Sequence, residues 1–436
     1  MAGAGQLAIG CWWAMQFTAA GYVALVLIEA ASIGLACALC PAGRGRHVAL
    51  PGLLVGAEWL RETWPFGGLP LGGLPLGQAD GPLLDMARVG GPLLVMAGAV
   101  VIACGASALV EAKITTGLLH VAVVLALALL ASVAPDGGPG VRDISVVAVQ
   151  GGGQRGLSAL DVSPASVLAA QIAATSTVQR RTQLIVWPED AVALDQGLRA
   201  SGIEPYLGAV ARRLRATFVV GVTIDVGTSS FLNEAAVFGP SGRYLTSFEK
   251  VHAVPFGEYV PWRSLFAHFA SLNAVPRDAI VGHGSGMVET PAGRLALLVS
   301  YETFFAGRAR SGVRAGGEVL VVPTNTASYR DSQVPLQELA ASRLQAVSEG
   351  RDLVQVATTG YSGFINPDGD PTALSGLGTR QVLRATVPLR TGRTVYERFG
   401  DLPVLILALI AAMAGWFLDR GELLSRRRER LLPAQA

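Results

Sequence analysis

The sequence predicts a multi-span α-helical membrane part joined to an α/β domain. Three observations lead there. Hydrophobic residues make up 51% of the 436 and charged residues only 15%, against about 25% charged in an ordinary soluble domain. Apolar runs at 7–40, 90–110, 114–134 and 402–418 approach or exceed the length that crosses a bilayer. Between 143 and 395, short strand-like runs alternate with helix-like stretches. Such low polarity excludes a disordered chain. A net charge of +2 leaves no basic surface for nucleic acid, so that partner is excluded too.

The first run carries one charge, Glu29, and predicts a tilted span plus an interfacial piece. It lacks the basic start and small-residue ending of a cleaved signal peptide. A shorter run at 48–60 is a weaker span, whereas 90–110 and 114–134 are strong ones. Between them lies GGLPLGGLPLG (67–77), whose glycines and prolines rule out a regular helix. Glu29 is costly inside a membrane and is expected to face other helices or the interface. The division expected is a membrane domain at 1–134 with about four spans and a domain at 143–395. A transmembrane helix at 402–418 and a basic tail at 419–436 follow.

Positive charges set the topology. Arg44 and Arg46 follow the first span, Lys113 separates the third and fourth, and arginines 426–428 follow the last. With all three places cytoplasmic, five spans alternate consistently, and the 143–395 domain lies on the extracytoplasmic face of a cell membrane.

Within that domain, runs at 144–149, 184–187, 218–222, 235–238, 295–299 and 319–322 read as strands. Stretches 165–181, 205–215 and 337–348 read as helices. The four cysteines all precede residue 105, in apolar stretches; they read as inert, buried residues, and the domain has no thiol.

Three polar residues stand just beyond strand-like runs: Glu189, Lys250 and Ser300. Strand ends are where α/β sheets gather reactive groups. A carboxylate can act as base, an ammonium can stabilise an oxyanion and a hydroxyl can attack, which together suit acyl transfer. The histidines are scattered and form no ligand set, so neither a metal nor another cofactor is expected. His252 lies two residues past Lys250 and reads as structural.

VWPED (186–190), FEKVHAVPFGEYVP (248–261) and VSYETFF (299–305) resemble the three catalytic motifs of the nitrilase, or carbon–nitrogen hydrolase, superfamily. EWLRETWPFGGLPLG (58–72), VVAVQGG (146–152) and the 342–369 segment narrow the resemblance to its membrane branch, the apolipoprotein N-acyltransferases. The resemblance implies an αββα sandwich. It also implies Glu189 as general base, Lys250 as support for the tetrahedral intermediate and Glu258 as a second glutamate near the site. Tyr301 and Glu302 would follow the nucleophile. The implied reaction moves a fatty acyl chain from a phospholipid to the N-terminal α-amine of a diacylglyceryl-cysteine lipoprotein, at the bacterial inner membrane.

The family's nucleophile is cysteine, whereas position 300 is serine. A thiol has a pKa of roughly 8.5 and ionises readily, while an alcohol attacks only with a base placed for it. Ser300 is therefore expected to lower acyl transfer. It reads as an engineered trap, a natural loss of activity or a true serine enzyme. Further departures are the lack of tryptophan at 157–160, the partial match of TNTASY (324–329), and five spans where the family usually has about eight. Two other functions compete with the transferase: a catalytically impaired paralogue that binds lipid or lipoprotein or assists an active acyltransferase, and an amidase-type hydrolase using Ser300.

Overall fold

The fold was established from a computed structural model that describes residues 1–153, 162–179, 181–268, 272, 275–329 and 331–431. The 157–160 stretch lies outside the described residues. The chain divides into two units, one of 1–134 with 399–436 and one of 135–398. The domain thus starts at Pro135 and ends at Arg398, a few residues beyond the 143–395 expected. Its first and last strands pair along their whole length, and the turns that close them belong to the same body.

Among the described residues the helices are α1 (Ala2–Gly10), α2 (Ala19–Leu39), α3 (Arg46–Arg61), α4 (Ala87–Val110), α5 (Ile114–Ser132), α6 (Pro164–Ser176), α7 (Glu204–Leu214), α8 (Arg263–Phe266), α9 (Ala306–Arg314), α10 (Val334–Glu349), α11 (Val395–Phe399) and α12 (Leu402–Leu431). Four stretches are long and apolar enough to cross a membrane: Ala19–Leu39, Leu84–Val110, Ile114–Ser132 and Leu402–Arg420. The weak candidate at 48–60 becomes α3, which has 16 residues and at 1.5 Å per residue falls short of the ~30 Å hydrocarbon core. The fifth span is thereby corrected to a shorter helix. The last helix continues to Leu431, so the basic segment expected after 418 is helical through Leu431. Cys37 is also exposed on α2 rather than buried.

Small residues let α3 and α12 approach closely and antiparallel. A Cβ on Gly52 would lie 2.1 Å from the Ala408 carbonyl oxygen, and one on Gly45 1.8 Å from that of Gly415. Arg46 pairs with Glu111, Lys113 Nζ lies 2.9 Å from the same carboxylate, and Trp416 Nε1 donates to the Leu39 carbonyl at 2.9 Å. The turns carrying Arg46 and Lys113 and the stretch of α12 around Trp416 therefore share one end of the helical unit.

Glu29 faces other helices, as expected. Arg61 Nε meets its carboxylate at 3.0 Å and Nη1 meets Glu58 at 2.9 Å. Arg61 Nη2 also donates to the carbonyls of Leu69 and Leu71, at 3.0 and 2.9 Å. A buried cation thus offsets two buried acids and pins the glycine–proline loop, which forms turns and one 3₁₀ segment, Leu74–Gln78.

The strands of the second unit are β1 (Arg142–Gln150), β2 (Leu184–Val186), β3 (Val192–Leu194), β4 (Thr217–Val226), β5 (Ser230–Phe238), β6 (Tyr244–Glu249), β7 (Asp278–Ile280), β8 (Met287–Thr290), β9 (Gly293–Leu297), β10 (Val319–Thr324), β11 (Leu353–Ala357), β12 (Gly363–Ile365), β13 (Pro371–Leu374) and β14 (Gln381–Leu389). One sheet runs β14-β1-β2-β4-β5-β6, with β3 beside β4 and β7 beside β5; the other runs β13-β12-β11-β10-β9-β8. Apolar residues from both sheets, including Val146, Val186, Val219, Leu297, Val321 and Val356, form one core between them. The outer face of the first sheet packs on α6 and α7, and that of the second on α9 and α10. The result is an αββα sandwich.

The helix expected at 165–181 stops at Ser176, and that expected at 337–348 begins at Val334. Ser163 caps α6 by accepting from the Ser166 N–H, with Pro164 in the first turn. Gly350 ends α10 in the left-handed region. Gln150 joins two of the recognised motifs: it donates to the carbonyls of Gly376 and Thr379 and accepts from Ser362 and Ser375.

Candidate active site

Parallel pairing aligns the strand ends that carry polar groups. β2 lies parallel to β1 and β4, and β10 parallel to β9 and β11. Glu189 follows β2 through Trp187 and Pro188, Lys250 follows β6, Ser300 follows β9 and Thr324 closes β10.

Glu189 is pressed against β4. A Cβ on Gly221 would lie 2.3 Å from the Pro188 carbonyl oxygen and 2.5 Å from the Glu189 Cα. The next residue, Asp190, adopts φ 57° and is held by Thr223 and by Asn325 Nδ2, the latter at 3.1 Å. Thr358 in turn donates to Asn325 at 2.7 Å. The partly matching TNTASY segment therefore braces the VWPED turn.

Lys250 Nζ donates to Glu189 Oε1 and to Glu258 Oε1, each at 2.9 Å. Asn233 Nδ2 bridges the same two oxygens at 2.8 and 3.0 Å. Glu258 Oε2 accepts from the Val254 N–H at 2.7 Å, which folds the PFGEY loop back over the lysine. Lys250 and Glu189 are both buried. Burial opposes the Lys250 charge, but Glu189 and Glu258 outweigh it and hold the ammonium well above its ordinary range. Burial raises the Glu189 carboxyl, against the pull of Lys250. A carboxylate with raised proton affinity is the stronger base.

Ser300 sits at φ 50°, a left-handed conformation that costs a non-glycine residue roughly 1–2 kcal/mol. It opens a 3₁₀ turn, Ser300–Phe304, that Glu302 fixes from below. The Glu302 carboxylate accepts from the N–H groups of Val251, His252 and Val299, at 3.0, 3.3 and 2.8 Å, and Arg308 Nε lies 3.3 Å away. Glu302 thus ties the residues after Lys250 to the turn that bears Ser300. Tyr301 packs edge-on against Phe305 at 5.0 Å, and His252 stacks on the same ring at 4.4 Å. Burial first, then Arg308 and Lys250, push His252 down to about 4, so it is a neutral packing residue near neutral pH.

Sequence reasoning missed four residues here. Asn233 bridges the carboxylates, and it lies just ahead of the strand read at 235–238, inside a strand that begins at Ser230. Tyr329 is pushed up to about 12 by burial first, then by Glu258 and Glu189, against the pull of Lys250. Thr324 donates to Ser300 Oγ at 3.1 Å and also contacts Glu338. Both sat in segments whose outlines were recognised, but nothing in the spacing marked them.

Residues 146–397 match the carbon–nitrogen hydrolase family, and residues 1–105 match the apolipoprotein N-acyltransferase N-terminal domain. The chain belongs to the carbon–nitrogen hydrolase family. It is 33% identical over 243 residues to the apolipoprotein N-acyltransferase of Geobacter metallireducens, covering 53% of this chain and 46% of that protein. It is 30% identical over 391 residues to that of Mycolicibacterium smegmatis, covering 80% of this chain and 64% of that protein. The chain thus spans between about half and two thirds of the length of these curated relatives. Among solved structures, a carbon–nitrogen hydrolase from Helicobacter pylori G27 aligns with a TM-score of 0.42 at 15% identity, over 60% of this chain and 95% of that one.

Proposed function

We propose that this protein is a membrane-bound N-acyltransferase that passes a fatty acyl chain from a phospholipid, through Ser300, to the N-terminal α-amine of a diacylated lipoprotein. The observation that carries the reading is the Glu189–Lys250–Glu258 cluster, with both carboxylates 2.9 Å from one buried ammonium. In this reading Ser300 Oγ attacks the ester carbonyl and Lys250 donates to the developing oxyanion. Glu189 takes the Ser300 hydroxyl proton as the bond forms and passes it to the departing lysophospholipid; it then takes one from the attacking amine and returns it to Ser300 Oγ. Similarity to proteins named apolipoprotein N-acyltransferase supports the substrates. The shared end of Arg46, Lys113 and the Trp416 stretch supports a cytoplasmic placement for that end, by the excess of basic residues there. By the same basic-residue rule, the extracytoplasmic face of the inner membrane is the proposed location of the 135–398 domain.

The test is incubation of the full chain in detergent with phospholipid and a diacylated lipopeptide. A triacylated lipopeptide is expected, and Ser300→Cys should raise its rate, because a thioester gives its acyl group to an amine more readily than an ester does. Binding of both substrates without any product, from either form, would instead favour a non-catalytic paralogue.

A further inference from the structure

We infer that Thr324 and Glu338 form a second proton route behind Ser300, in which Glu338 takes the Ser300 hydroxyl proton by way of Thr324. The inference rests on the reading of Ser300 as the nucleophile. Thr324 Oγ1 lies 3.1 Å from Ser300 Oγ and makes a short contact with Glu338 Oε1. Thr324 and Glu338 are essentially fully buried, so no bulk water interrupts the chain. A hydroxyl has one proton and two lone pairs. When Thr324 gives its proton to an ionised Glu338, its oxygen is left to accept from Ser300. When Glu338 is protonated the chain runs the other way: Glu338 donates to Thr324 and Thr324 to Ser300 Oγ, which then has no acceptor for its own proton.

Glu302 shows what a purely structural carboxylate looks like in the same turn. Three N–H groups and Arg308 satisfy it. Glu338 instead makes its hydrogen bond to a hydroxyl that touches Ser300, and its Oε2 has no hydrogen-bond partner among the described residues. A carboxylate held this sparsely is one whose charge is poorly stabilised. Burial pushes Glu338 up to about 8; Thr324 and Lys250 pull it down and Glu189 pushes it up. The other charged groups on the elements packed against α10 are Glu302 on the Ser300 turn and Arg308, Arg310 and Arg314 on α9. Arg310 and Arg314 are engaged with the carbonyls of Tyr396, Glu397 and Arg398.

The relay answers the difficulty that an alcohol poses where relatives use a thiol. As the Oγ–carbon bond forms, the Oγ–H bond breaks. The serine proton moves to Thr324 Oγ1 while the threonine proton moves to Glu338 Oε1. When the amine displaces the ester, both protons return and the hydroxyl is restored. In this route Glu189, whose proton affinity burial raises, starts protonated, gives its proton to the leaving alcohol and regains one from the amine, so both carboxyls end as they began.

The test uses an alkyl fluorophosphonate, which forms an Oγ–phosphorus bond and releases fluoride, so labelling reports serine reactivity without lipid transfer. Labelling of Ser300 in the intact chain should rise with pH along a limb centred at about 8. Glu338→Gln should remove the limb and slow labelling roughly a hundredfold. Thr324→Val should do the same, and Thr324→Ser, which keeps the hydroxyl, should restore the limb that valine removes. An unlabelled Ser300, or a limb that survives Glu338→Gln or Thr324→Val, would overturn the relay. Labelling with the expected limb but without any lipopeptide acylation would overturn the transferase reading and leave the relay standing.

Discussion

Lys250 Nζ lies 2.9 Å from Glu189 Oε1, and both groups are buried. The ammonium balances two carboxylates, so each partner depends on the others for its charge. Lys250→Met should leave Glu189 and Glu258 facing each other and force one to take up a proton. Lipopeptide acylation should fall by roughly 10²–10³-fold, the usual cost of losing one oxyanion donor. Glu258→Gln keeps an acceptor for the lysine and should cost less. The comparison of the two variants under saturating lipopeptide checks this order.

Gly221 gives the VWPED turn its room. Its Cβ position lies within 2.5 Å of backbone atoms of Pro188 and Glu189, closer than backbone can tolerate. Gly221→Ala should therefore displace Glu189 without removing any functional group. The expected result is a folded protein with a lowered melting temperature and an acylation rate reduced by more than its loss of stability explains.

Arg61 holds the helical unit together in the same way that Lys250 holds the site. Arg61→Ala leaves Glu29 and Glu58 buried without a cation and frees the Leu69 and Leu71 carbonyls. Breaking a buried pair in this way costs about 3–5 kcal/mol. The detergent-solubilised protein should unfold at lower temperature, whereas Glu29→Gln with Arg61→Met should recover much of the loss.

His252 supplies a pH signature in stability. Burial, Arg308 and Lys250 lower it to about 4 in the folded chain, from an ordinary 6.5. Between those values the unfolded chain binds the extra proton, so stability falls as pH drops through that window. Thermal unfolding of the parent should therefore steepen its pH dependence there, and His252→Gln should flatten it.

Much of this was legible in the sequence, and the reasons differ by element. The spans at 90–110 and 114–134 were legible because unbroken apolar runs have few alternatives. The break at Thr18, which splits 7–40 into α1 and α2, left no charge or proline to mark it. The central strands β1, β4 and β10 were legible as continuous β-branched runs. β14 was not: it carries Arg384 and Pro388 and lies half-exposed at a sheet edge. Glu189, Lys250 and Ser300 stood out at strand ends beside motif residues. Thr324 and Glu338 reach Ser300 only through the pairing of β10 with β9 and the packing of α10 on the Ser300 turn, which no local pattern encodes.

The most direct test of Ser300 as acyl carrier needs no acceptor. The full chain is incubated with phospholipid alone, and the peptide containing residue 300 is weighed by mass spectrometry. The account predicts one fatty acyl ester on Ser300, absent from Ser300→Ala and discharged when diacylated lipopeptide is added. An acylated lipopeptide formed while Ser300 stays unmodified, or formed equally well by Ser300→Ala, would contradict it.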